Sequence, residues 1–216
     1  MRHNSERVPG KNYRLFAGKP LYHWVIRALL ACPLINEVVI DTDSKLIIDD
    51  ATHHFPQIKI IERPPHLRSG DTPMNEILLH DVNKVQANWY LQTHSTNPLL
   101  KPETVTKALQ EFFKAFPIYD SLFSVTKVHS RFWDYLGKPI NHDPMVLLRT
   151  QDLPPIYEEN SNLYIFSECG LKKRGNRIGE RPLMFEIDQC EAVDIDEEID
   201  FQWAEFLYFS KGKELL

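Results

Sequence analysis

The stretch Met1-Arg-His-Asn-Ser-Glu-Arg-Val-Pro-Gly10-Lys-Asn-Tyr-Arg-Leu-Phe-Ala-Gly-Lys-Pro20 decides how the rest of the chain is read. Arg2, Arg7, Lys11, Arg14 and Lys19 crowd positive charge into it, joined by the α-amino group if Met1 is the true start. The whole chain carries a formal net charge of -5, so this positive charge is local. Pro9-Gly10 and Gly18 bracket the stretch with turn chemistry, and no apolar period runs through it. A basic, turn-rich loop ahead of a helix is how α/β proteins hold phosphate: Arg offers a fork, Lys a point charge, and the loop its free N–H groups. A solvated basic arm is the other reading of the same residues, and the residues alone leave both open.

The chain around this loop is 216 residues long, enough for one sizeable core and short for two, so a single domain over 1–216 is expected. Apolar residues make up 43% and charged residues 25%, the balance of an ordinary soluble globular protein. Mild acidity argues against nucleic acid as partner, because its binders carry a basic surplus. Cys32, Cys169 and Cys190 are odd in number and lack metal spacing, so neither a disulfide framework nor a zinc site is expected. No apolar run is long enough to span a membrane, and Met1 is not followed by a signal-type apolar core. A cytoplasmic protein without membrane contact is the expectation.

Beyond the loop, strand-like and helix-like segments alternate. Pro20 suits the first helical position, and Leu21, Trp24, Val25, Ala28 and Leu29 recur at helix spacing as far as Cys32-Pro33. Short strands are expected at 37–41, 58–61, 89–91 and 121–125, and helices from Asp43 or Ser44, from Pro73 to Val85 and from Pro102 to Phe116. This order implies βαβ units and a mostly parallel sheet. Residues 127–160 differ: Pro139, Pro144, Pro154 and Pro155 among scattered aromatics suit an excursion or hairpin. Strands at 163–166, 185–187 and 192–195 and a helix over 199–209 complete the pattern, with a basic loop at 172–177.

Val193-Asp194-Ile195-Asp196 places two carboxylates on one side of an extended segment, since residues i and i+2 share a face. Paired carboxylates completed by phosphate oxygens are how Mg²⁺ is held. The same residues also read as a helix start, with Asp196 as N-cap and Glu197 and Glu198 in the first turn. Arg63-Pro64 and Gln92 each follow a strand, where open α/β sheets bind ligands; Arg63 is equally a surface Arg beside a rigid turn. Ser5 has no neighbouring His and Asp to make a triad, and the histidines show no i,i+4 pairing that would build a zincin site.

Arg2-x-x-Ser5-x-Arg7-x-Pro9-Gly10-Lys11-Asn12 followed by Leu15-x-x-Gly18-Lys19-Pro20-Leu21 resembles the signature of the CMP-sugar synthetases, which activate N-acylneuraminate and related nine-carbon ulosonic acids with CTP. The resemblance continues through Asp194-x-Asp196 and Arg149-x-Gln151-x-x-Pro154-x-x-Tyr157-x-x-Asn160-x-x-x-Tyr164, and so spans nearly the whole chain. It implies an α/β nucleotidyltransferase with a Rossmann-like sheet flanked by helices, acting as a homodimer through the 127–160 excursion. It implies catalytic roles for Arg2, Lys11, Asp194 and Asp196, with Mg²⁺ on the two aspartates. Ser5, Asn12 and Arg63 would join Arg2 and Lys11 on the nucleotide. Gln92, Arg149, Asn160 and Tyr164 would contact the sugar, Arg149 as candidate for its carboxylate across the dimer interface. Tyr164 also reads as a core residue with a satisfied hydroxyl.

Three departures from the family pattern bear on this. Thr93-His-Ser-Thr-Asn-Pro98-Leu-Leu100-Lys101 stands where the sialic acid enzymes read Pro-Thr-Ser-Pro-Leu-Arg, which leaves the sugar open. Ser161 stands where the family has Gly after the Asn. The family also has an apolar strand immediately before the basic loop. The resemblance therefore carries the expectation of an apolar segment upstream of Met1, and of poor solubility or inactivity for the 216 residues alone. A ketodeoxyoctonate cytidylyltransferase, a D-x-D glycosyltransferase and a non-catalytic nucleotide-binding protein are the alternatives.

Overall fold

The computed structural model describes residues 1–211 of the chain. Within the basic loop, a 3-10 turn at Lys11–Tyr13 is followed by a two-residue hairpin, β1 (Leu15–Phe16) and β2 (Lys19–Pro20), turning through Ala17 at φ 45° and Gly18 at φ 82°. Pro20 then precedes α1 (Leu21–Ala31), whose buried face is Leu21, Tyr22, Val25, Ile26, Ala28 and Leu29. The apolar spacing expected for this helix is the one that packs.

Next come β3 (Val39–Thr42), α2 (Lys45–His54) and β4 (Lys59–Glu62), a βαβ unit with parallel pairing from Val39↔Lys59 to Thr42↔Glu62. Ser44 caps α2, its hydroxyl accepting the Ile47 N–H at 3.4 Å. The chain continues through α3 (Met74–Val82), β5 (Trp89–Gln92) and α4 (Pro102–Ala115). In α4, Pro102 occupies the first turn, where its missing N–H costs nothing, and Val105, Ala108, Leu109 and Phe112 form the buried stripe. The remaining elements are β6 (Ser121–Val128), β7 (Ile156–Ser167), α5 (Glu168–Arg174), β8 (Pro182–Glu186) and α6 (Glu198–Lys211).

The ladders differ from a mostly parallel sheet in two ways. Strands β5-β7-β6-β8 form one four-stranded sheet and β3-β4 a separate two-stranded one. Only β3·β4 and β6·β8 pair in parallel, whereas β5·β7 and β6·β7 are antiparallel. The cause of the second difference lies in the 127–160 segment. Its two ends extend β6 to Val128 and begin β7 at Ile156, and parallel pairing there would require a crossover helix that the intervening residues do not form. The middle of the segment is the expected excursion, with Trp133 bridging Pro139.

Residues 192–195, expected as a strand, pair with none. Among their ties to the rest of the chain are the Ile195 N–H donating to Thr96 O at 2.9 Å and the Asn97 amide donating to Val193 O at 3.3 Å. A loop, rather than a sheet, holds this segment in place. One apolar cluster joins α1, α2 and α4 to both sheets, through Val25, Ile40, Ile47, Leu109, Leu122 and Ile165. No helix of the described residues is long and apolar enough to cross a membrane.

Candidate active site

The basic loop is shaped by its own backbone. Gly10 sits in the left-handed region at φ 67°, and a Cβ there would lie 2.8 Å from the Tyr13 ring. This turn carries Lys11 inward, leaving it 9% exposed, with its ammonium donating to Ile195 O and lying 3.4 Å from Asp196 Oδ1. Arg7, by contrast, is exposed and reaches the same Asp196 oxygen at 2.7 Å. Asn12 is buried; its amide donates to Arg2 O at 2.9 Å and its carbonyl accepts the Ser95 hydroxyl at 2.8 Å. It thus fastens the basic loop to the loop that follows β5. Arg2 lies over Gly70, where a Cβ would come within 2.7 Å of its guanidinium. Ser5 accepts the Val8 N–H at 3.4 Å.

Asp194 and Asp196 flank Ile195, which is fully buried against Phe16, Phe201 and their neighbours. With Ile195 directed into the core, its two neighbours share the opposite face, as their i, i+2 spacing demands. Burial pushes the Asp194 carboxyl above the usual range, a tendency the Thr96 hydroxyl opposes and the nearby Asp196 charge reinforces. Asp194 Oδ1 is buried without a hydrogen-bond partner among the described residues. Asp196 is not the cap of α6. Asp200 does that work, accepting the Asp196 and Glu197 N–H groups at 3.0 and 2.7 Å, and so frees the Asp196 carboxylate for Arg7 and Lys11.

Two more buried polar atoms without partners, Thr93 Oγ1 and His94 Nε2, follow the C-terminal end of β5. Burial first, then the charge of Arg177, lowers the His94 pKa to about 4; Lys11 acts in the same direction and Asp196 against it. His94 is therefore neutral and close to the groups gathered at Asp196. Buried polar atoms in native proteins are paired as a rule, so Asp194 Oδ1, Thr93 Oγ1 and His94 Nε2 are candidates for contact with a ligand.

The expected sugar-contact residues divide. Gln92 and Tyr164 are direct partners across β5 and β7. Tyr164 is fully buried, with its hydroxyl on Glu159 and the Arg177 guanidinium 3.4 Å above its ring. Asn160 accepts the Ser124 hydroxyl at 2.6 Å and donates to Thr126 at 3.0 Å. It borders a cavity of roughly 300 Å³ that Thr126, Glu159, Ser161 and Asp194 also line. Arg149 does not join them within the protomer: it lies exposed on the excursion, paired with Asp152 at 2.6 and 3.1 Å. Arg63 is not the surface residue of the simpler reading. It is 5% exposed and its Nε donates to Asp41, beside His80 and Asp81.

Several contributors were not singled out from the sequence: Arg177 as a half-buried charge, and the neutral His94, Ser95 and Thr96 of the loop that follows β5. Arg177 stood only as part of a basic loop, and nothing local marks it as half-buried. Away from the cleft, Asp50 and His54 on α2 are an i,i+4 pair that the histidine spacing did not suggest, and buried His23 of α1 joins them, its Nε2 2.6 Å from Asp50.

The helices, the divided sheet and the loop-borne charges together form an α/β nucleotidyltransferase fold. Residues 1–215 match the sequence model of the family described as cytidylyltransferase, and the chain belongs to that family, whose members are nucleotidyltransferases. N-acylneuraminate cytidylyltransferase A of Danio rerio is 30% identical over 225 residues, covering 98% of this chain but 51% of its own length. The chain thus spans about half of that relative. CMP-N,N'-diacetyllegionaminic acid synthase of Legionella pneumophila is 29% identical, with 95% of this chain and 92% of the relative covered. Among solved structures, CMP:2-keto-3-deoxy-manno-octonic acid synthetase complexed with CTP superimposes with a TM-score of 0.71 at 16% identity, covering 98% of this chain and 96% of that one.

Proposed function

We propose that this chain transfers CMP from CTP to the anomeric hydroxyl of an acidic nine-carbon ulosonic acid and releases pyrophosphate. The observation that carries this reading is the convergence of buried Lys11 with Asp196, beside the unpartnered Asp194 Oδ1. In the reaction the hydroxyl oxygen forms a bond to the α-phosphorus, the bond from that phosphorus to the bridging oxygen of pyrophosphate breaks, and the hydroxyl proton is lost. In-line phosphoryl chemistry of this kind depends on positioning and on neutralising charge.

Lys11, Arg2 and Arg7 supply positive charge where the triphosphate would lie, with Ser5 and the loop N–H groups as donors. Asn12 holds Arg2 and the β5 loop in register, so part of this arrangement is made before any nucleotide arrives. The carboxylate pair fits a hard divalent cation, because Asp194 offers a buried oxygen without a protein donor and Asp196 faces the same side. Mg²⁺ bound by Asp194 and Asp196 would polarise the α-phosphate. Arg63 is assigned to the base and ribose. Gln92 and Asn160 are assigned to the sugar, with Tyr164, whose hydroxyl is taken by Glu159, supporting them from the core.

A homodimer belongs to this reading. The excursion exposes Tyr135 at 94%, Met145 at 90% and Leu147 at 88%, an apolar surface of the kind that partners cover and one that would bring Arg149 to a neighbour. Monomeric mass by light scattering would remove both the dimer and that role for Arg149. The activity is tested by mixing the protein with CTP, Mg²⁺ and each of sialic, legionaminic, pseudaminic and ketodeoxyoctonic acids. Pyrophosphate release with one of the nine-carbon acids is expected. Release with ketodeoxyoctonate alone shifts the assignment to that sugar, and CTP binding without release leaves a nucleotide-binding protein.

A further inference from the structure

We infer that Arg177, in place of Arg149 with its Asp152 partner, holds the carboxylate of the acidic sugar, an inference that otherwise rests on the reading just given. Three observations meet at this residue. First, its guanidinium is half-buried and, like those of Arg2, Arg27, Arg131 and Arg181, has no carboxylate partner within ion-pair distance among the described residues. A desolvated cation is costly unless an anion compensates it. Burial here works against the charged form, in keeping with a missing counterion.

Second, the guanidinium is held in a defined plane. It stacks 3.4 Å above the Tyr164 ring, Nη1 donates to Gln92 Oε1, and the Arg177 N–H donates to Asn75 Oδ1 at 3.2 Å. Stacking uses the face of the group and leaves its N–H edges for a ligand. Glu159 is the nearby acid, and it already accepts the Tyr164 hydroxyl. Tyr164 thus keeps the one local carboxylate engaged and supports the guanidinium at the same time.

Third, the location is right. Gln92 and Tyr164 are the residues the family resemblance brings to the sugar, and the charge of Arg177 acts on His94, which Lys11 and Asp196 also influence. An acid bound on Arg177 is held at the C-terminal end of β5, whose following loop bonds Asn12 of the basic loop through Ser95. A planar fork matches a carboxylate with two parallel hydrogen bonds, and an Arg so oriented would select acidic sugars over neutral ones.

The test uses the acid that the unaltered protein turns over best and the methyl ester of that acid. With saturating CTP, Arg177→Gln should raise the KM for the acid by about 10- to 100-fold, the scale of a lost charge-assisted hydrogen bond. The KM for CTP should stay within about twofold. Unaltered protein should discriminate strongly against the ester, Arg177→Gln should discriminate little, and Arg177→Lys should recover part of the preference. Equal sugar KM in unaltered protein and Arg177→Gln overturns the inference while leaving the proposed reaction standing. A parallel rise of both KM values together with a fall in thermal stability assigns Arg177 to structure and also overturns it. If the unaltered protein turns over none of the acids, the proposed reaction fails and the inference fails with it.

Discussion

Lys11 Nζ lies 3.4 Å from Asp196 Oδ1 although 185 residues separate the two in sequence. The same ammonium donates to Ile195 O, so one side chain fastens the basic loop to the acidic segment. Loop and acids are therefore placed relative to each other by a contact made of the functional groups themselves.

Replacing Lys11 removes its charge and its bond to Ile195 O together, so fold and turnover must both be read. Lys11→Met keeps most of the apolar stem in place and removes the charge. Turnover should fall by about 10²–10³, the usual effect of deleting one preorganised charge at a reacting phosphate. Circular dichroism should show the fold intact. Near-normal pyrophosphate release at saturating CTP would take Lys11 out of the chemistry and leave it a fastener.

For the aspartates the expected outcomes differ between the two. Burial raises the folded pKa of Asp194 above its unfolded value, so its contribution to stability is full below the unfolded pKa and is lost as pH rises through the folded one. At neutral pH its charge is a liability without a cation. Asp194→Asn should accordingly raise the melting temperature measured in EDTA and abolish the increase that Mg²⁺ gives the unaltered protein. Asp196→Asn should weaken the Mg²⁺ response without the gain in EDTA, because it strips Arg7 and Lys11 of their acid. If both share the ion, the double variant should be little worse than the poorer single one. An unchanged Mg²⁺ response in both variants would exclude the pair as ligands.

Ser161 occupies the left-handed region at φ 58°, which explains a glycine at this position in the resembled family. A side chain there costs about 1–2 kcal/mol, and part of the relief on Ser161→Gly is lost to the greater freedom of unfolded glycine. The net expectation is a stabilisation of roughly 0.5 kcal/mol, read from the urea midpoint at unchanged slope. A lower midpoint would show that the hydroxyl, 3.5 Å from that of Tyr164, matters more than the backbone.

His94 should make stability pH-dependent. Its folded pKa is about 4, below the ordinary 6.5, because it is buried near Arg177. As pH falls below 6.5 the unfolded chain takes up a proton that the folded chain refuses until about pH 4. The stabilisation is thus present above pH 6.5 and is lost as pH falls from there to about 4, by up to roughly 3 kcal/mol. Urea melts of the unaltered protein and His94→Gln at pH 7 and 4.5 check this. Parallel loss in both would place the acid sensitivity elsewhere.

Much of this was legible in the sequence, for identifiable reasons. The helices of the first half were readable because apolar stripes such as Val105-Leu109-Phe112 and caps such as Ser44 are local signals. The basic loop and Asp194-x-Asp196 were singled out through the family resemblance, because spacing by itself left each with a second reading. Strand direction was not, because the reversal at β6–β7 depends on a long segment failing to form a helix, which no short window displays. Arg63 stayed open between ligand and surface residue because its partner, Asp41, lies on the neighbouring strand. Arg177 was invisible as an individual because what sets it apart, a face on Tyr164 and an edge on Gln92, is contributed by two other strands.

The division of the sheet has a consequence for how the protein breathes. Strands β3 and β4 share a ladder with each other and none with the four-stranded sheet, so the unit is joined to the rest by packed side chains and a few side-chain hydrogen bonds, such as His23 with Asp50 and Lys59 to Lys84 O. Side-chain packing is non-directional, while ladder bonds break together. The β3–α2–β4 unit can therefore open as a small cooperative segment with the larger sheet still closed. Its amides would exchange with solvent at a free energy below that of global unfolding, and Arg63 and Asp41 would open with it.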